Sequence, residues 1–95
     1  MIKINISKDE ITIKGHSGYS QYGSDIVCAS VSSILITTVN ALLSIDEDCI
    51  VYEESDGYLN IKIKKHNEVI DKLINNMINL LNELQEQYNK NIEIR

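Results

Sequence analysis

Proline, phenylalanine and tryptophan are all absent from this sequence, and glycine occurs only four times. The lack of proline and the scarcity of glycine argue against a linker, a low-complexity tract or a disordered chain. With tyrosine as the sole aromatic, the core has to be aliphatic, and isoleucine dominates a 43% hydrophobic composition. Two cysteines, Cys28 and Cys49, are too few for a disulfide-stapled scaffold. Basic charge is also short. The net charge of −5 is wrong for direct nucleic-acid binding, which needs a basic face. Lys62, Lys64 and Lys65 are close in sequence, but Lys62 and Lys64 share one side of a strand, a pattern typical of a solvated sheet face.

Long apolar runs are missing too. None reaches the ~18 residues that a membrane helix needs, so no membrane association is expected. The N-terminus alternates polar with apolar residues, unlike a signal peptide. These features predict a cytoplasmic protein with reduced thiols and no Cys28–Cys49 disulfide. Ninety-five residues make one domain. A domain this small buries a modest share of its surface, which favours a homodimer.

What is present is periodic. Ile2, Ile4 and Ile6, then Ile11 and Ile13, alternate with polar residues around Ser7–Glu10 and predict a β-hairpin. Cys49 to Glu53 and Tyr58 to Lys64 predict a second hairpin around Glu54-Ser55-Asp56-Gly57, where Asp-Gly is the turn signal because glycine accepts positive φ without strain. Asp25 to Ser44 predicts a helix capped by Ser24 or Asp25. It is apolar on two sides, one for a sheet and one for a second helix or a second subunit. Asn67 to Tyr88 carries one apolar stripe from Ile70 to Tyr88 and predicts the clearest helix, with a short strand at Asn91 to Arg95. The order ββαββαβ predicts an α+β fold, a mostly antiparallel sheet packed with two helices.

The segment Gly15–Ser24 holds three of the four glycines and no sustained period, so it predicts a loop of functional length. A cysteine protease needs a thiolate, a nearby imidazole and a group that holds the imidazole. Cys28 is expected in the first turn of its helix, where free N–H groups and the positive dipole end favour an anion. His16 stands across the glycine-containing loop. Asp25, three residues before Cys28, shares nearly the same helix face and is suited to orienting the imidazole or binding substrate. Backbone N–H groups at the helix start are expected to hold an oxyanion. Ser32, one turn beyond Cys28, either hydrogen-bonds in the site or fills space. Tyr19 and Tyr22 either contact an apolar substrate residue or pack the loop.

The runs Gly15-His16-Ser17-Gly18-Tyr19 and Gly23-Ser24-Asp25-Ile26-Val27-Cys28-Ala29, followed by Val31-Ser32, resemble the signature of the ribosomal-processing cysteine protease (Prp) family. The resemblance implies a homodimeric α+β protease that uses no cofactor or metal. Its substrate would be the N-terminal peptide of a large-subunit ribosomal protein, removed for ribosome assembly. It also implies Cys28 and His16 as the catalytic pair, Asp25 beside them, and Gly15–Ser24 as a loop that orders over substrate, with Gly15, Ser17 and Tyr19 in the site. Ser17 and Ser30 depart from the commonest residues of that pattern, and neither removes a catalytic group.

Other readings compete. A zinc site from His16, Cys28, Cys49 and His66 has acceptable ligand types, but the spacing fits no short chelating loop. Cys49 leads a strand and is expected in the core. His66 is expected at a helix boundary, with its charged form disfavoured by the helix dipole. A non-catalytic module that binds a ribosomal protein and a redox-sensing thiol protein are the alternative functions.

Overall fold

The computed structural model describes the backbone of residues 1–15 and 21–95, and the side chains of residues 1–15 and 26–95. The strands are β1 (Ile2–Ile6), β2 (Glu10–Lys14), β3 (Ile50–Ser55), β4 (Tyr58–Ile63) and β5 (Ile92–Ile94). The helices are α1 (Gln21–Ile45) and α2 (Glu68–Gln87). The chain order is ββαββαβ, as the periodicities predict, and the five strands form one sheet in the order β3-β4-β2-β1-β5. Three of the four pairings are antiparallel, and β5 joins β1 in parallel.

Strand alternation sorts the side chains onto two faces. Ile2 and Ile4 of β1, Ile11 and Ile13 of β2, and Leu59, Ile61 and Ile63 of β4 are buried on the helix side. Lys3, Lys14 and Lys62 point the other way, and Lys62 lies in register with Glu10. Asn60 is only 3% exposed, and its Nδ2 donates to Glu10 Oε2 and Thr12 Oγ1, both at 2.9 Å. A buried amide nitrogen on that face is thus satisfied by two partners on β2, avoiding the cost of an unmade bond.

The helices close the other face. Val27, Val31, Leu35, Val39 and Leu42 form the buried stripe of α1, and Ile70, Ile74, Met77 and Leu81 that of α2. The two helices pack on each other, so a second helix does lie against α1, one of the two partners expected for it. By length and composition, Ile26–Ile45 is apolar enough to cross a membrane. Serines, threonines and Asn40 interrupt its apolar residues, and no charged residue does.

The predicted start of α1 needs correcting. The helix begins at Gln21, four residues before Asp25. Gly23 costs about 1 kcal/mol relative to alanine and does not stop a helix, and no proline stands in the segment. Asn67 caps α2, its Oδ1 accepting from Ile70 N–H at 2.9 Å.

His66 behaves unlike the boundary residue expected from sequence. Its Nε2 lies 2.6 Å from Asp9 Oδ1 in the β1–β2 turn, and its Nδ1 lies 2.7 Å from Asp71 Oδ1 in the first turn of α2. These two carboxylates, Asp71 first, raise the imidazole pKa above its usual 6.5 despite the helix N-terminus. A folded-state pKa above the unfolded one gives stability that is complete below about pH 6.5 and vanishes as pH rises through the folded value. His66→Gln is therefore expected to lower Tm at pH 6 and to leave it nearly unchanged at pH 9. Thermal melts across that range check this, and an equal loss at both ends would contradict it.

Candidate active site

The four-residue spacing of Val27, Val31 and Leu35 points one side of α1 into the core. Cys28, next to Val27, therefore sits at the margin of that stripe, half-buried and packed against the core. It borders a cavity of about 440 Å³ together with Ser32, one turn further along. Ile2, Ile13, Leu35 and Leu59 supply apolar lining. The end of the β3–β4 hairpin, Glu54 to Tyr58, forms the facing wall, and Gly15 closes the set.

Gly15 is fixed for two separate reasons. Its φ is +93°, and a Cβ there would stand 2.5 Å from the Met1 carbonyl oxygen. Its N–H donates to Gly57 O at 2.8 Å, which ties the end of β2 to the turn of the second hairpin. Gly57 itself takes φ +67°, as the Asp-Gly turn predicts. Gly15→Ala is expected to cost about 1–3 kcal/mol from the backbone strain. The check is a fall in denaturant midpoint at unchanged slope; no fall would mean that this corner is looser than described.

The structure brings Cys28, Ser32 and Gly15 to one cavity. His16, Ser17 and Tyr19 lie outside the described residues, as does the side chain of Asp25, although its backbone belongs to α1. Cys28 itself is not in the first turn. It stands about two turns inside α1, where backbone N–H groups bond the carbonyls four residues back. The dipole effect fades beyond the first turn, and the unbonded amides belong to the start of the helix at Gln21. An oxyanion site built on the amide of Cys28 therefore does not follow from this geometry.

Cys49 is fully buried, and its Sγ donates to Leu42 O at 3.4 Å. Burial first, then the carboxylate of Asp46, pushes its thiol pKa up. Both effects disfavour a thiolate. Asp46 is in turn held low by the Lys65 ammonium at 2.9 Å, which takes up one of the three clustered lysines. The zinc reading loses two of its members: Cys49 is sealed in the core, and His66 is engaged by two aspartates.

Sequence reasoning overlooked the hairpin wall. Glu54 is in register with Leu59, a helix-side residue, so it leans toward α1, and Asp56 occupies the adjoining turn. The available signal was the phase of β3: Ile50, Tyr52 and Glu54 alternate on one side, so the carboxylate continues the core-facing row.

A thiol bordering an open cavity at the margin of an α1 packed on a mixed sheet is a geometry that can be compared with proteins already known. A family model described as cysteine protease Prp matches residues 1–93. The chain belongs to the Prp family of cysteine proteases. The ribosomal processing cysteine protease Prp of Staphylococcus aureus (strain Mu50) is 30% identical over 88 residues, covering 90% of this chain and 83% of that protein. The crystal structure of the S. aureus ribosomal processing protease Prp with a covalently linked product peptide superposes with a TM-score of 0.83. The two are 26% identical, over 99% of this chain and 95% of the other. The S. aureus complex with a substrate peptide gives a TM-score of 0.82 at 25% identity and the same coverage. The ββαββαβ order and mixed sheet are thus those of Prp proteases. Of the two thiols in this Prp chain, Cys28 opens on the cavity and Cys49 is closed off.

Proposed function

We propose that this chain is a site-specific cysteine endopeptidase that removes the N-terminal extension of a large-subunit ribosomal protein in the cytoplasm. Cys28 is the nucleophile and His16 the general base. The observation that carries the assignment is the contrast between the thiols: Cys28 is half-buried at a cavity, whereas Cys49 is sealed with a raised pKa. The family supports a thiol protease, and the S. aureus relative is named for ribosomal processing.

In the proposed reaction His16 takes the proton of Cys28, and the sulfur attacks the scissile carbonyl to form a tetrahedral oxyanion. The C–N bond then breaks as His16 returns its proton to the leaving amine, which departs as the new N-terminus of the shortened protein. Water, deprotonated by His16, attacks the thioester; the C–S bond breaks, the acid is released and Cys28 regains its proton. His16 follows Gly15 directly in sequence, and Gly15 lines the same cavity as Cys28. Ser32 lies on the cavity wall, where its hydroxyl can contact the bound peptide.

The test uses synthetic peptides spanning the first thirty or so residues of each large-subunit ribosomal protein from the same genome. Mass spectrometry should find a single internal cut in one of them. No cut in any peptide, or cuts scattered through many, would contradict the proposal.

A further inference from the structure

We infer that Glu54 and Asp56 form a subsite for a basic side chain of the substrate, placed within a few residues of the bond that is cut. The inference rests on the protease reading above and extends it to the substrate's chemistry. The cavity bordered by Cys28 is chemically uneven. On the sheet side the aliphatic Ile2, Ile13 and Leu59 adjoin the hairpin end, which carries two carboxylates, Glu54 and Asp56. Among the described residues lining it there is no lysine or arginine to neutralise them.

The backbone positions that carry both carboxylates are fixed. Strand register puts Glu54 beside Leu59 on the helix side of the sheet. Tyr52, two residues earlier on that side, has its phenol pKa raised by burial and then by the neighbouring Glu54 carboxylate. Asp56 is set by the Asp-Gly turn, whose Gly57 carbonyl accepts from Gly15 N–H at 2.8 Å. The acidic corner and the start of the segment carrying His16 are therefore tied together.

A carboxylate only accepts hydrogen bonds, so two of them on one wall select a cationic donor such as lysine or arginine. Glu54, Asp56 and Cys28 line the same cavity, so the basic residue lies close in sequence to the bond that is cut. Both carboxylates are exposed. Solvent screening then limits their effect to about tenfold rather than thousandfold.

The experiment profiles wild-type protein and a Glu54→Gln/Asp56→Asn variant against a randomised peptide library, with cleavage products read by mass spectrometry. Wild type should enrich lysine and arginine at one fixed position near the cut. A cleaved peptide is then made in two forms, with arginine or with the isosteric, neutral citrulline at that position. The wild-type ratio of kcat/KM for arginine over citrulline is expected to be about tenfold, to shrink with added salt, and to fall to near one in the variant. A Glu54→Lys/Asp56→Lys variant should instead favour glutamate there, a reversal that a merely structural role would not produce. Cleavage by wild type without basic enrichment, or a ratio unchanged in the variants, would overturn this inference and leave the protease reading standing. No cleavage of any library member would overturn both.

Discussion

Cys28→Ala should lose peptide cleavage by at least about a thousandfold while keeping its fold, because removing a nucleophile leaves only binding and electrostatic contributions to the rate. The structural cost is expected to be small. Cys28 lies at the margin of the core stripe of α1, half-buried, so alanine leaves little unfilled volume and costs about 1 kcal/mol or less. Cys49→Ser should do the reverse. It places a hydroxyl at a fully buried position, at a cost of about 1–3 kcal/mol, and leaves cleavage by the folded fraction intact. Rates per folded molecule, with melts on the same samples, separate the two effects. A Cys28→Ala protein that still cuts would contradict the assignment.

His16→Ala should reduce kcat by about 10²–10⁴-fold, the range for losing a general acid–base group, with a smaller effect on KM. His66→Gln is the control, since it removes the other histidine of the chain, which joins Asp9 to Asp71 at the opposite end of the sheet from Gly15. If His66→Gln slows cleavage more than His16→Ala does, the base has been misassigned.

The elements were legible where one face of a strand or helix is buried. Ile2 to Ile6 and Leu59 to Ile63 have period 2 because a sheet with one covered face demands it, and Ile70 to Leu81 follows the helical stripe for the same reason. The start of α1 was less legible. Gly23 and Ser24 read equally well as loop residues or as weak helix formers, and the difference moved Cys28 from the first turn to the third. Contacts between distant segments were not legible at all. The bond from His66 to Asp9 spans 57 residues, and no local pattern marks it. Likewise Asp56-Gly57 signalled a turn, but only the pairing of β2 with β4 brings that turn to Gly15 and Cys28. The catalytic pair itself was suggested by residue types and their spacing, and the structure adds the cavity on which Cys28 opens.

The most direct measurement is covalent trapping. A peptide that the protein cuts is resynthesised to end at the scissile residue as a chloromethyl ketone, incubated with the protein at neutral pH, and followed by intact mass and peptide mapping. One adduct per chain is expected, on the peptide containing Cys28, with Cys49 unmodified and uncut substrate slowing the reaction. An adduct on Cys49, or full cleavage activity after Cys28 has been completely alkylated, would contradict the assignment of Cys28 as the nucleophile.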